Sequence, residues 1–383
     1  MIPRYKVKEI HDIWSTDNKL KTWLKVELAH LDAISSDIIN RTITDDELKD
    51  IKENISIDIN RWKEIESETR HDLQAFVQML EESVPNNSGR WIHYGLTSSD
   101  VIDTSLVLLC KESLHVVKKY CANLIVNMNR VLKSEEAYSN ILSRTHGKSA
   151  EVQTYRHVIL RWLSQLRRGY DSIVAAEKNL KYGKLSGPSG NNNTNTFQCE
   201  KAGLNLLGLY SMNCSQIIPR DIFLDYFYSM LKVMLAVEKI AYDIRIYSID
   251  GINEMSEPFA KGQKGSSSMP HKKNPILSEN ISGLARMYKS YFNIAIENCL
   301  TLLERDISHS ASERIIFKDA AHITCFTLNR LTKIMSGIRL NTDASQANID
   351  MFKNSVQSQT IMNKNIIEGK SRKDSHDISQ NNE

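Results

Sequence analysis

Apolar positions in this chain recur at intervals of three and four residues over long stretches without proline. The seven prolines leave 86–187 and 276–383 free of that residue, so proline breaks no helix within either interval. Residues 101–133 carry Leu106, Leu109, Leu124, Met128, Val131 and Leu132 in this rhythm, and 221–249 carry Phe223, Phe227, Met230, Met234, Val237 and Ile244. Residues 150–183, 276–303 and 313–338 continue it. The spacing predicts one long amphipathic helix in each segment. Five such helices predict an all-α bundle, and their aromatic and methionine positions read as core rather than as a cofactor box.

The first hundred residues are patterned differently, as shorter helices between polar turns. Thr44 followed by Asp45, Asp46 and Glu47 reads as a helix N-cap with acids in the first turn. Pro85-Asn86-Asn87-Ser88-Gly89 reads as a turn, and Ser186–Gly190 with the asparagine-rich run to Asn195 as a loop. From about 341 the chain is polar and poor in aromatics, and 371–383 reads as a frayed tail. The predicted domains are an N-terminal helical domain at 1–97, a central long-helix domain at 98–342 and a C-terminal helical segment at 343–383.

Composition narrows the function classes. The chain has 383 residues, 41% hydrophobic and 25% charged, as expected of a globular protein with a large core. Its net charge of +3 is too small to imply nucleic acid, so an electrostatic partner would be a small anion met locally. No run is long and apolar enough to span a membrane, and the first residues, MIPRYKVKEIHDIW, lack the apolar core of a signal peptide. Six cysteines without paired spacing predict reduced thiols in a cytoplasmic protein.

The densest chemistry lies at 261–275, KGQKGSSSMPHKKNP. Glycines, three serines and two prolines exclude a regular element there, and Lys261, Lys264, Lys272 and Lys273 make the loop cationic. Asn274-Pro275 reads as the N-cap and first position of the following helix, where anions are favoured. Ile276, Ile281, Leu284, Met287 and Tyr291 predict that helix's buried face. Other candidate clusters are Arg70-His71-Asp72 on an apolar-periodic segment, Thr97-Ser98-Ser99-Asp100 at a helix start, Arg144-Thr145-His146-Gly147 at a break between helices, and Arg305, Ser310 and Arg314 within a short span. Hydroxyls at a helix start can hold a carboxylate. A loop histidine suits acid–base work near neutral pH, and arginines suit phosphate. Read blandly, the same residues are a solvated linker, helix caps, a turn and surface ion pairs.

The loop resembles a family signature. Residues 265–275 match Gly-Ser-Ser-x-Met-Pro-x-Lys-x-Asn-Pro, which marks the fumarase/aspartase superfamily of β-elimination lyases, at all eight fixed positions. ETRHDLQAF (68–76), WIHYGLTSSDVIDT (91–104), the RTHG block (144–151), SQ-x-x-x-RD (215–221) and ERDISHSASERI (304–315) resemble the adenylosuccinate lyase branch. The resemblance runs over nearly the whole chain. It implies an all-α, three-domain lyase architecture whose central bundle is a homotetramer core.

The activity implied is removal of fumarate from adenylosuccinate and from a succinyl-aminoimidazole-carboxamide ribonucleotide in purine biosynthesis, without metal or cofactor. The resemblance implies Ser266 as base, with Ser267 as the alternative, His146 as acid, and His71 as a second histidine orienting groups or contacting phosphate. It assigns Lys272, Asn274, Thr97, Ser98 and Gln216 to the succinyl carboxylates, and Arg4, Tyr5, Arg305, Ser310 and Arg314 to the phosphate. Arg70 and Asp72 would lie near the ribose, and Glu279 matches a further family position. Each site would combine three subunits, with no nucleic acid or membrane partner.

Some positions depart from the pattern. Ser149 and Val152 stand where the family commonly has histidine and proline, Thr360 follows Ser358-Gln359 where arginine is usual, and the resemblance leads one to expect roughly fifty further residues. Two competing readings are a catalytically impaired structural relative and another lyase of the superfamily, such as one acting on argininosuccinate.

Overall fold

A computed structural model describes residues 1–36, 43–260 and 262–380. Lys261, counted above among the loop's cations, lies outside the described residues, as does the end of the tail at 381–383. The first helices are α1 (Lys8–Ile13), α2 (Thr16–Ser36), α3 (Asp45–Asn54), α4 (Ile59–Thr69), α5 (Asp72–Ser83) and α6 (Ser98–Val131). Then come β1 (Asn140–Thr145), β2 (Lys148–Thr154), α7 (Tyr155–Asn179), β3 (Tyr182–Gly183), α8 (Phe197–Leu206), β4 (Tyr210–Ser211) and α9 (Asp221–Tyr247). The chain continues through β5 (Met255–Ser256), α10 (Ile276–Glu297), α11 (Ser308–Ser336), β6 (Arg339–Leu340), α12 (Thr342–Met351), α13 (Lys353–Ile367) and α14 (Arg372–Gln380). The fold is all-α, with three two-stranded sheets among the described residues: β1–β2 and β5–β6 antiparallel, β3–β4 parallel.

The five expected long helices are α6, α7, α9, α10 and α11. Phe223, Phe227, Met230, Met234, Val237 and Ile244 of α9 are all buried, as their spacing requires. The Thr44 cap closes a full capping box with Glu47. Four readings change. Residues 150–154 are strand, not helix, because the chain first turns back on itself at His146-Gly147. The buried stripe of α10 runs through Ile281, Leu284, Ala285 and Tyr288, leaving Ile276 and Met287 exposed. His71 lies not within a helix but between two of them, as the N-cap of α5. The polar end is ordered as α14, capped by Ser371 Oγ accepting from the Asp374 amide at 3.1 Å, with Ser375 and Ser379 buried.

The chain divides into two compact units. The first comprises Met1–Lys119, Tyr170–Leu231 and Tyr288–Phe326. Its core centres on Phe317, with the rings of Phe223, Tyr226 and Phe227 at 5.2, 5.7 and 4.8 Å. The buried hydroxyls there find carbonyls: Tyr226 donates to Phe317 O at 3.0 Å and Tyr288 to Phe227 O at 2.8 Å, which removes the penalty of burying them. The second unit comprises Tyr120–Gly169, Lys232–Met287 and Thr327–Glu383. Leu124, Met128, Val158, Trp162, Val237, Ile244, Leu284, Leu331 and Ile334 form part of its core.

Candidate active site

A cavity of about 450 Å³ in the first unit gathers residues from widely separated segments. Asp72, Arg305, Ser310 and Arg314, singled out above, all line it. Arg314 Nη2 lies 3.8 Å from Asp72 Oδ2, and Arg305 Nη1 donates to Gln216 Oε1 at 3.1 Å. Lys19, Arg220 and His309 join them on the lining. Lys19 Nζ sits 4.5 and 4.9 Å from the Trp23 and Trp62 ring centres and 4.0 Å from Asp72. Burial lowers its pKa against the pull of Asp72. On the lining, Arg220 is fixed by Asp103 at 2.7 and 2.9 Å, with Glu313 at 3.1 Å. Burial disfavours its charge, but the two carboxylates outweigh that and raise its pKa. Asp103 and Glu313 thus occupy Arg220, while Arg305 and Arg314 on the same lining are suited to a phosphate.

Arg4, Tyr5, Arg70 and His71 are not among the residues that line this cavity. Arg70 ends α4 with φ +52°, and His71 starts α5 with its Nδ1 accepting from the Gln74 amide at 3.2 Å. A neutral His71 therefore carries its proton on Nε2, as a donor. Both residues are exposed. Arg4 and Tyr5 form a short 3₁₀ turn, Tyr5 packing edge-on against Phe326 at 4.9 Å.

Thr97 and Ser98 stand at the start of α6. Asp100 accepts from the Thr97 amide at 2.7 Å and from the Gly187 amide at 3.1 Å, and its other oxygen takes Lys184 Nζ at 2.5 Å. Lys184 and Asp100 are completely buried. This pair ties the hydroxyl-bearing helix start to the 186–190 loop. Gly190 is needed in that loop, because a Cβ there would lie 2.1 Å from Cys214 O and 2.5 Å from Ser215 O, just before Gln216.

In the second unit, the serine loop folds on itself. Asn274 Nδ2 donates to Gly265 O at 3.0 Å, and a Cβ at Gly265 would lie 1.9 Å from Lys272 O. Ser266 is half-buried and Ser267 exposed. Ser266 Oγ accepts from the amides of Ser268 at 3.3 Å and Met269 at 3.0 Å. Asn274 is not the cap of α10. The Leu277 and Ser278 amides are taken by the Glu257 carboxylate, at 3.1 and 2.5 Å. This helix start is therefore already neutralised, and Asn274 uses one N–H of its side-chain amide to hold the loop closed. Lys272 and Glu279 are exposed.

His146 occupies the tip of the β1–β2 hairpin. Thr145 pairs with Lys148, so the loop is two residues long, and both His146 (φ +54°) and Gly147 (φ +78°) have positive φ, as a type I′ turn requires. The side chain of His146 is exposed. Ser266, Lys272 and His146 thus belong to the second unit, and the cavity residues to the first.

A family model described as lyase matches residues 4–287. The chain is 36% identical to adenylosuccinate lyase of Thermotoga maritima over 388 residues, covering all of this chain and 88% of that protein. It is 36% identical to adenylosuccinate lyase of Bacillus subtilis and 37% to that of Aquifex aeolicus, with 99% of this chain and 87% of each relative covered. The chain belongs to the adenylosuccinate lyase family. Its fold is that of a fumarate lyase from Mesorhizobium sp. BNC1, with a TM-score of 0.87 over 99% of this chain and 86% of that one at 18% identity. A 3-carboxy-cis,cis-muconate lactonizing enzyme from Pseudomonas putida matches with a TM-score of 0.85 at 19% identity, over 98% and 85% of the two chains.

Sequence reasoning did not single out Lys19, Lys184 or Glu254, and it quoted Arg220 and His309 only as part of family blocks, without a role. Each takes its importance from a partner far along the chain, as Arg220 does from Asp103 and Glu313, and no local spacing announces such a partner. A buried charge implies a fixed partner, but burial is not visible in the residue itself.

Proposed function

We propose that this chain splits adenylosuccinate to AMP and fumarate, and releases fumarate from the succinyl-aminoimidazole-carboxamide ribonucleotide of purine biosynthesis. The observation that carries the reading is the convergence of Arg305, Ser310, Arg314 and Asp72 on one cavity. A phosphate would meet two guanidinium groups and a hydroxyl there, with Asp72 placed for a ribose hydroxyl. Arg4, Tyr5 and Arg70 complete the nucleotide contacts. His71, with Nε2–H free to donate, orients the same part of the substrate.

The reaction is an anti β-elimination. Ser266, as alkoxide, takes the proton from the carbon beside one succinyl carboxylate, negative charge builds on that carboxylate, and the C–N bond breaks as His146 protonates the departing nitrogen. An alkoxide is unfavourable near neutral pH. The two amides directed at Ser266 Oγ stabilise negative charge at that atom and favour Ser266 over Ser267 as base. Lys272, Asn274, Thr97, Ser98 and Gln216 hold the carboxylates, and Glu279 borders the loop.

The residues are completed into one site by three subunits of a homotetramer in the cytoplasm. An exposed apolar stripe on α9 supports assembly: Tyr228, Leu235 and Tyr242 recur every seven residues and are 49%, 45% and 54% exposed. Among the described residues no helix is long and apolar enough to cross a membrane.

Protection against thermal unfolding tests the substrate class. Adenylosuccinate and AMP at millimolar concentration should raise the melting temperature, and an Arg305→Ala variant should lose most of that rise. Protection by argininosuccinate alone would favour the other lyase reading.

A further inference from the structure

We propose that Glu254 is a positioning residue whose ion pair with Arg144 sets the direction of the hairpin that carries His146. The inference rests on the reading of His146 as the acid. Glu254 has no exposed side-chain surface. Arg144 grips it with both terminal nitrogens, Nη1 to Oε2 at 2.7 Å and Nη2 to Oε1 at 2.8 Å, and Asn348 of α12 adds a bond to Oε1 at 2.8 Å. Its backbone carbonyl lies 2.7 Å from the Tyr155 hydroxyl and accepts from the Asn341 amide at 2.9 Å. The acidic side chain and its peptide are therefore held from four directions.

Arg144 lies two residues before His146, next to the register shift between Leu142 and Arg144 in the hairpin. Its Nη1 also reaches back to Leu142 O at 3.2 Å. A bulge re-aims the strand beyond it; the base of the hairpin is held by packing, with Ile141 and Leu142 fully buried and Ser345 Oγ of α12 donating to Asn140 O at 2.8 Å, so the fork acts on the stretch past the bulge. The tip therefore points where the guanidinium fork is anchored. That anchor lies just before β5, on the segment that leads through Glu257, the cap of α10, towards the Ser266 loop.

A buried ion pair is a poor device for stability alone, since apolar residues of the same volume serve as well or better. A planar fork on a carboxylate is, however, a good device for fixing direction, because both bonds must be satisfied at once.

The test uses the full-length protein with adenylosuccinate. Glu254→Gln and Arg144→Lys keep the size of the pair but lose the two-pronged charged contact. Both should lower kcat on the order of 10- to 100-fold, the scale of a misplaced catalytic group, with KM changed by less than about threefold. Assays run well below each variant's melting temperature separate this from instability. Parent-like kcat in both, beside an inactive His146→Gln, would overturn the clamp and leave the acid assignment standing. Parent-like kcat in His146→Gln would overturn both. Where the ion-pair variants do not fold, Asn348→Ala removes its bonds to Glu254 Oε1 and Ile252 O and keeps the pair; it should cost about threefold or more in kcat, and an unchanged kcat would count against the clamp.

Discussion

Replacing Gly265 by alanine should nearly abolish turnover while leaving the fold intact. The added Cβ would sit 1.9 Å from Lys272 O, and such contacts are essentially never shorter than 3.0 Å. The two sides of the loop must therefore separate by at least about 1 Å, a displacement that can cost about 100-fold when it moves a reacting group. The strain falls on the Asn274–Gly265 bond that closes the loop, and on Ser266, the next residue. Little else depends on the loop: Ser267, Ser268, Met269, Pro270, His271 and Lys272 are all exposed, so few core contacts are lost. The expected result is kcat lower by about 100-fold with the melting temperature within a few degrees of the parent. Fumarate release at saturating adenylosuccinate, followed by absorbance, gives kcat, and thermal unfolding without ligand gives stability. A kcat within about threefold of the parent would show that the closed loop geometry does not matter to the chemistry, and the reasoning would fail.

Other outcomes follow from the same residues. Ser266→Ala and His146→Gln should each lower kcat by about 10²- to 10⁴-fold with modest change in KM; full turnover in either would refute its role. Arg220→Met strands the buried Asp103 and should cost about 3–5 kcal/mol in urea unfolding, so a loss below about 1 kcal/mol would show that Asp103 finds other partners. Burial pushes the pKa of His322 down to about 4 from its ordinary 6.5, and its Nδ1 accepts the Val7 amide at 3.0 Å. Below pH 6.5 only the unfolded chain takes up that proton. The stability His322 contributes is thus complete above pH 6.5 and declines towards pH 4. His322→Asn should flatten the fall of the urea midpoint over that range, and an unchanged slope would contradict the assignment.

The long helices were legible because two properties coincide in them: no proline interrupts, and apolar residues keep a helical period, as along Phe223 to Ile244 of α9. The serine loop was legible from its glycines and prolines. The His146 hairpin was not. Its strands are short and largely polar, and Arg144-Thr145 carries none of the alternation that marks a half-buried strand. The cap of α10 was misread for a different reason. Asn274-Pro275 is a good local start signal, but Glu257 supplies the cap from some twenty residues upstream, and local patterns do not report loop closure. The α14 helix was missed because polar composition outweighed the Ser371…Asp374 start signal. The cavity wall shows the same limit most plainly: Arg305, Ser310 and Arg314 are near one another in sequence, while Lys19, Asp72 and Arg220 join them only in the fold.

The decisive measurement is product analysis on the purified chain incubated with adenylosuccinate, with Ser266→Ala as the blank. AMP and fumarate should appear in equal amounts with the parent and fall to a trace with the variant. A folded parent protein that releases no fumarate from adenylosuccinate would contradict the proposed activity, whatever the geometry of its site.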